Sequence, residues 1–378
     1  MRFLHTADLH LGRRLSDLPL LEDQKVLLSQ IIDYAVSEDA DGVIIAGDVY
    51  NKSVPGSDAM MLLDDFMTQL AEKNIAVYMI SGNHDSSERI SYFSQIIKKA
   101  GIYTTESFDG KLQQIHLEDE HGPLTVSMMP FIRPLQIRKF YPQQEIITYE
   151  DAVKTVLDNS DLDTSIRNVI ICHQFVTGAE TSDSEEFAVG GLDCIDASIF
   201  DAFDYVALGH LHKPQKVRRE SMRYAGSPMK YSLSEAGHRK SVTLVDIGEK
   251  GEEPEIRLLP LESPRDVREV KGTMAEVMAM DYSEDYVRVT LTDEMIAPDA
   301  RVSVATVFPN MIKMAVHNSR TLEEAEITGA ESLENKSKMD LFIDFYKMQN
   351  NDMEPEEEQM RIMEELLKEL EEEKYETY

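Results

Sequence analysis

From residue 1 to about 255, short unbroken apolar runs alternate with segments whose apolar residues recur every three or four positions. The runs are Phe3-Leu4, Val43-Ile44-Ile45-Ala46, Ala76-Val77-Tyr78-Met79-Ile80, Val169-Ile170-Ile171-Cys172 and Tyr205-Val206-Ala207-Leu208. They are β-rich and too short for helices, which predicts strands buried on both faces. Leu21 to Val36 and Asp58 to Lys73 carry the helical period instead. The alternation predicts an α/β domain with covered sheets over 1–255, closed by the turn-rich stretch Gly248 to Pro254. A small β-α-β-α-β unit is expected over 263–325, with strand alternation at Val287, Val289 and Leu291.

Residues 326–338 are polar and read as a linker, and 339–374 predicts a helix-loop-helix. Met339, Phe342, Ile343 and Tyr346 share one helical face, Asn350-Asn351-Asp352 breaks the period, and Pro355 suits the first turn of a second helix. Met360, Met363, Leu366, Leu367 and Leu370 form its stripe. Such a pair has too little core to fold alone. It either docks a partner helix or coiled coil, the reading we adopt for 339–374, or packs back on its own chain.

Composition narrows the function. The chain has 378 residues and a formal net charge of −32, with no basic footprint for unaided, sequence-indifferent nucleic-acid binding. A polyanionic substrate must be held locally, by divalent ions or by a basic partner. The densest basic cluster is Lys213, Lys216, Arg218, Arg219, Arg223 and Lys230. Lys213, Lys216 and Arg218, with Arg89, are candidate phosphate contacts, although a solvated strand-and-turn face reads the same way. The first residues lead straight into a strand and no apolar run approaches roughly 18 residues, so a cytoplasmic chain without a signal peptide or a membrane partner is expected. Of two cysteines, Cys172 lies inside an apolar strand as a small hydrophobe, and no disulfide is expected.

Each apolar run ends in a block of metal-ligand residues: Asp8-Leu9-His10, Gly47-Asp48, Gly82-Asn83-His84-Asp85, His173-Gln174 and Gly209-His210-Leu211-His212. One such block is common by chance, and a lone buried histidine is more often a core residue. Here five of ten histidines fall in the blocks and every block ends a strand. Asp and Asn oxygens with His nitrogens suit Mn²⁺, Fe²⁺ or Zn²⁺, and the absence of thiolates argues against structural zinc. Two ions so held can activate water and neutralise charge building on a phosphoryl oxygen, with Asp48 as the shared carboxylate.

The order of these blocks resembles the calcineurin-like metallophosphoesterases, whose pattern is D-x-H, G-D, G-N-H-[DE], H and G-H-x-H. The resemblance implies a β-sandwich flanked by helices. It places Asp8, His10 and His212 on one ion, Asn83, His173 and His210 on the other, and Asp48 on both. It leaves His84 to protonate the leaving oxygen, with Asp85 as its orienting carboxylate.

Protein phosphatases of that superfamily typically read G-D-x-x-D-R-G and G-N-H-E, unlike Gly47 to Lys52 and Gly82 to Arg89 here. Gly82 to Arg89, Phe203 to Gln215 and Tyr224 to His238 are instead similar to the nuclease subunits of bacterial SbcCD complexes. That resemblance implies a Mn²⁺-dependent DNA nuclease with a small α/β capping domain. It also implies a helical tail docked on the coiled-coil base of an SbcC ATPase, as a homodimer within a heterotetramer. ATP would bind the partner, since no G-x-x-x-x-G-K-[ST] loop occurs in this sequence. Asn51 stands near where archaeal and eukaryotic repair relatives usually have a histidine, and its amide cannot act as acid or base. The alternatives are a small-molecule phosphodiesterase or nucleotide hydrolase of the same superfamily, and a noncatalytic adaptor.

Overall fold

The computed structural model describes residues 1–182, 185, 194–318, 339, 342, 343, 346, 347, 355 and 359–363. Its centre is a pair of six-stranded sheets. The first runs Glu255–Pro260, Ser241–Asp246, Arg2–Thr6, Gly42–Ala46, Ala76–Ile80, Ile102–Thr104, the last four parallel. The second runs Gln215–Val217, Arg219–Tyr224, Tyr205–Gly209, Arg167–His173, Gly122–Met129, Gln113–Asp119, the central four parallel.

Strand periodicity explains why the sequence runs are apolar without a break. Phe3 and Ile44 of the first sheet pack with Val169, Ile171 and Ala207 of the second in the core between them. Their neighbours Leu4, Val43 and Ile45 point to the opposite face, against Leu27, Leu28 and Ile31 of helix Leu21–Ser37 and Leu63, Phe66 and Leu70 of helix Ser57–Glu72. On the far side Ile170 and Cys172 meet Val153 and Val156 of helix Tyr149–Asp158. That helix opens on a capping box between Thr148 and Asp151. Each fully buried Leu, Val or Phe contributes roughly 1.5–3 kcal/mol, so helix, sheet, sheet and helix are held as stacked layers.

After the sandwich come strands Val267–Gly272, Tyr286–Leu291 and Met311–Val316, with helices Met274–Met278 and Ala300–Ala305 between them. Buried Asp23 of the first long helix accepts from Arg265 Nε at 2.9 Å and from the Tyr286 hydroxyl at 2.7 Å, and Lys230 pairs with Asp266 at 2.8 Å. Two compact units result, Met1–Thr290 with Ala297–Ala315, and Leu291–Ile296 with Val316–Tyr378. Within the second, His317 donates its backbone N–H to Leu291 O at 2.8 Å. Of the helix-loop-helix expected over 339–374, Met339, Phe342, Ile343, Tyr346, Met360 and Met363 are helical. The linker 326–338 and Leu366, Leu367 and Leu370 lie outside the described residues. Among the described residues no helix is long and apolar enough to cross a membrane.

Candidate metal centre

Because the central strands of each sheet run parallel, their C-terminal ends come to one edge, where such sheets present their sites. Arg2–Thr6 leads into Asp8 and His10, Gly42–Ala46 into Asp48, and Ala76–Ile80 into Asn83, His84 and Asp85. Arg167–His173 ends on His173, and Tyr205–Gly209 runs into His210 and His212. Two contacts join the ligand loops across the sheets: His173 Nδ1 to Ala46 O at 2.8 Å, and His210 N–H to both Asp8 carboxylate oxygens at 3.1 Å.

The loops hold backbone that L-residues avoid. Asp8 (φ 53°), His10 (φ 42°), Asp48 (φ 48°) and His210 (φ 107°) all have positive φ. Each costs on the order of 1–3 kcal/mol and persists only where its surroundings fix it. Asp8 N–H donates to Gly47 O at 3.0 Å and His10 N–H to Asp48 O at 2.9 Å. Two glycines permit the close approach. A Cβ on Gly82 would lie 2.1 Å from Asp48 Oδ1, and one on Gly209 would lie 1.8 Å from Ala46 O.

Three overlapping groups converge: Asp8, His10 and His212; His10, Asp48 and His84; and Asp8, Asp48 and His173, with ligand atoms in each within 4.8 Å of one another. The ring tautomers show what the arrangement accepts. His173 Nδ1 faces a carbonyl and must carry a proton, which leaves Nε2, 3.0 Å from Asn83 Oδ1 and 3.4 Å from Asp48 Oδ2, as the ring atom that can exchange its proton for a metal ion. His212 Nδ1 donates to Glu235 Oε1 at 3.2 Å, which turns its Nε2 lone pair to His10 Nε2, also at 3.2 Å. His210 Nδ1 lies 3.2 Å from Asn83 Oδ1. These ring nitrogens, with Asn83 Oδ1 and Asp48 Oδ2, converge as a donor set that fits a cation. Asp48 Oδ2 lies between the groups, 3.6 Å from His10 Nε2 and 3.4 Å from His173 Nε2.

Burial pushes the Asp8 carboxyl up to about 6 and the His210 imidazole down to about 3, and holds His10 well below its ordinary value. Burial also opposes charge on Asp48 and His173, but their mutual attraction wins. Asp48 is driven far below the carboxylate range and His173 rises to about 9. The buried charge is thus a carboxylate with a proton beside it, which a metal ion would displace.

The calcineurin-like phosphoesterase family model matches residues 1–214, and the model described as the type 5 capsule protein repressor C-terminal domain matches 263–350. A Staphylococcus epidermidis protein, named as the D component of the nuclease SbcCD, is 30% identical over 328 residues, covering 83% of this chain and 85% of that protein. The chain belongs to the SbcD family of calcineurin-like phosphoesterases. It is therefore a hydrolase of phosphoester bonds, in a superfamily that uses divalent metals. Among solved structures, a dimetal phosphatase from Danio rerio is 13% identical, covering 68% of this chain and 95% of its own, with a TM-score of 0.42. The protein TT1561 of Thermus thermophilus is 11% identical, covering 68% and 98%, with a TM-score of 0.37.

In this SbcD-family chain the structure differs from expectation at Asp85. Its carboxylate does not meet the His84 ring. It accepts instead from the backbone N–H groups of Val49 at 3.0 Å, Tyr50 at 2.9 Å and Gly82 at 2.9 Å, tying the Asp48 loop to the Asn83 loop. Those donors favour its charged form, while burial and the nearby Asp48 push the carboxyl up to about 6. The His84 ring makes no hydrogen bond among the described residues. It is partly exposed, with Nε2 3.9 Å from Asp48 Oδ2, and its backbone N–H donates to Asp48 Oδ1 at 2.9 Å.

Sequence reasoning also missed the groups that support the ligands. Lys240, buried, donates to Glu235 Oε2 at 2.5 Å, His212 O at 2.7 Å and Ser227 Oγ at 2.8 Å, so an ion pair fixes the carboxylate that sets the His212 tautomer. Gln24 Nε2 donates to Leu9 O at 3.0 Å and His10 O at 2.9 Å, holding the first ligand loop from the neighbouring helix. No periodicity marks these residues, because their partners are distant in sequence.

The basic cluster of this SbcD-family chain is neutralised rather than free. Lys213 pairs with Glu180, Lys216 with Glu220, and Arg218 with both oxygens of Asp201 at 2.8 and 3.0 Å. Arg219 donates to the carbonyls of Phe200 and Phe203, Arg223 pairs with Glu220, and Lys230 with Asp266. Arg89 is exposed on the short helix Ser87–Ile90, just past the Asn83 loop.

Proposed function

We propose that this chain is the Mn²⁺-dependent DNA nuclease subunit of a two-component complex. It hydrolyses DNA phosphodiester bonds, as a double-strand exonuclease and a single-strand or hairpin endonuclease. It acts in concert with ATP turnover by an SbcC-type partner, in repair, recombination and replication in the cytoplasm. The observation that carries the reading is the buried donor set around Asp48, with the partly exposed, unbonded His84 ring at its rim. Kinship with the staphylococcal protein named as part of a nuclease supports the substrate.

In this reading Asp8, His10 and His212 would hold one ion, Asn83, His173 and His210 the second, and Asp48 would be shared. Divalent ions bound there would supply Lewis-acid charge for activating a water molecule. The protein does the rest. Asp48 and the loops tied by Asp85 hold the donors rigid, and His84 gives its ring proton to the leaving oxygen. Residues 339–374 dock on the partner's coiled coil, and the chain works as a homodimer within a heterotetramer.

The ion-paired state of Lys213, Lys216 and Arg218 favours a second reading, hydrolysis of small phosphodiesters. The test is cleavage of end-labelled duplex and hairpin DNA with Mn²⁺, for wild type and His84→Ala, with and without the SbcC-type partner. DNA cleavage abolished by His84→Ala is expected. Intact DNA alongside turnover of bis(p-nitrophenyl) phosphate would overturn the nuclease reading and leave the second.

A further inference from the structure

Deepening the nuclease reading on which it rests, the geometry points to Arg13 and Arg133 as a pair of phosphate-binding guanidiniums, one beside each half of the metal centre. They are expected to hold the DNA strand through phosphates that flank the scissile one. Neither is marked by the sequence, because neither belongs to a basic cluster.

Arg13 follows the first ligand loop, its backbone N–H donating to His10 O at 2.9 Å. Its guanidinium carbon lies 5.1 Å over the Tyr231 ring. That ring packs edge-on against His10 at 5.5 Å and His212 at 5.7 Å, both ligands of one group. Arg133 repeats the arrangement on the other side. Its guanidinium carbon lies 5.3 Å over the Phe131 ring, and Phe131 packs edge-on at 6.3 Å against His173, which belongs to the group with Asp8 and Asp48. The backbone N–H of Phe131 donates to Ser81 O at 2.9 Å, which fixes this ring to the Asn83 loop.

Two further facts separate these arginines from the expected phosphate contacts. Among the described residues neither guanidinium has a hydrogen bond or a carboxylate partner, whereas Lys213, Lys216 and Arg218 are each ion-paired. Neither is buried. In a chain of net charge −32, an arginine left without an acid beside a metal centre is a poor contributor to stability and a good one to anion binding. Stacking on an aromatic face orders the side chain before substrate arrives and leaves its planar fork of donors free for two phosphate oxygens. Lysine could supply the charge, but not the stacked fork.

The experiment uses the full chain with its partner for kinetics, and the full chain alone for binding hairpin DNA over a range of salt. Arg13→Gln and Arg133→Gln are each expected to raise KM for hairpin DNA about tenfold, and to lower the slope of log Kd against log salt by about one. Arg13→Lys and Arg133→Lys should restore the slope but only part of the KM. Lys73→Gln, on the outer helical layer, is the charge-matched control and should change neither. Retained Mn²⁺ binding and an unchanged melting temperature establish that the variants are folded. If both glutamine variants behave like Lys73→Gln while wild type cuts DNA, this inference falls and the nuclease reading stands. If wild type cleaves only small diesters, both fall.

Discussion

The metal-centre loops and the small sheet that follows the sandwich are built by opposite rules. In the loops, four candidate ligands sit at positive φ, imidazole and carboxylate or amide groups crowd together, and glycines are packed against Asp48 and Ala46. In the small sheet, no described residue between 263 and 318 has positive φ. Val287, Val289 and Leu291 are buried as strand alternation predicts, and helix Met274–Met278 starts on a Thr273/Glu276 capping box. Local preference agrees with the fold where only a fold is needed, and is overridden where donors must converge on a cation. The strain in the loops is sustained by the two sheets behind them.

The sharpest way to break this contrast is Gly82→Ala. The added methyl meets Asp48 with no room to retreat, so loss of Mn²⁺ binding is expected, with activity down more than about 100-fold. Isothermal titration with Mn²⁺ checks it. Gly237→Ala, where a Cβ meets nothing within 4 Å, should be silent.

Next in size is Glu235→Gln. It leaves Lys240 charged and unpaired in a buried site, which costs about 3–5 kcal/mol. It also weakens the hold on His212, lowering metal affinity about 10–100-fold. Adding Lys240→Met should return much of the stability, read by urea denaturation, without returning the affinity. Recovery of both would mean that the pair serves stability alone.

A smaller effect comes from His5, buried against Tyr205 with Nδ1 2.9 Å from the hydroxyl. Burial, reinforced by the Arg223 guanidinium, pushes its pKa from 6.5 down to about 3. Between those values the unfolded chain binds a proton that the folded chain refuses. The stability His5 contributes as a neutral ring is therefore fully present above about pH 6.5 and is lost as pH falls toward 3. Urea midpoints for wild type should drop more steeply from pH 6.5 to 4.5 than those for His5→Phe. Equal slopes would remove His5 from the account.

The smallest effect belongs to the small sheet. Thr273→Ala removes an N-cap and should cost about 1 kcal/mol in urea denaturation, with DNA cleavage unchanged. A loss of cleavage there would show that the two regions are not separable as argued.

Much of the sandwich is legible in the chain. Unbroken apolar runs such as Val43 to Ala46 fit only strands covered on both faces, and Leu21 to Val36 can bury its stripe only against one of those faces. The positions of the candidate ligands are legible for the same reason, since a strand end is fixed by the run that precedes it. Two features are not. Asp85 stands beside His84 in sequence, which suggests an orienting group, but its carboxylate turns to the backbone of Val49 and Tyr50 on another strand's loop. The basic cluster from Lys213 to Lys230 looks free in the sequence because Glu180, Asp201 and Asp266, which neutralise three of its members, lie on other segments.

The sequence by itself therefore determined the five buried strands that lead into the site, where they end, and which candidate donors stand at those ends, because these depend on periodicity and on neighbours in the chain. Only the tertiary structure decided how the donors pair, that Nδ1 of His173 and of His212 carries a proton, and which cations are left without an acid. Those depend on contacts such as His173 to Ala46, His212 to Glu235 and Arg13 to Tyr231, between segments that the chain separates and the two sheets bring together.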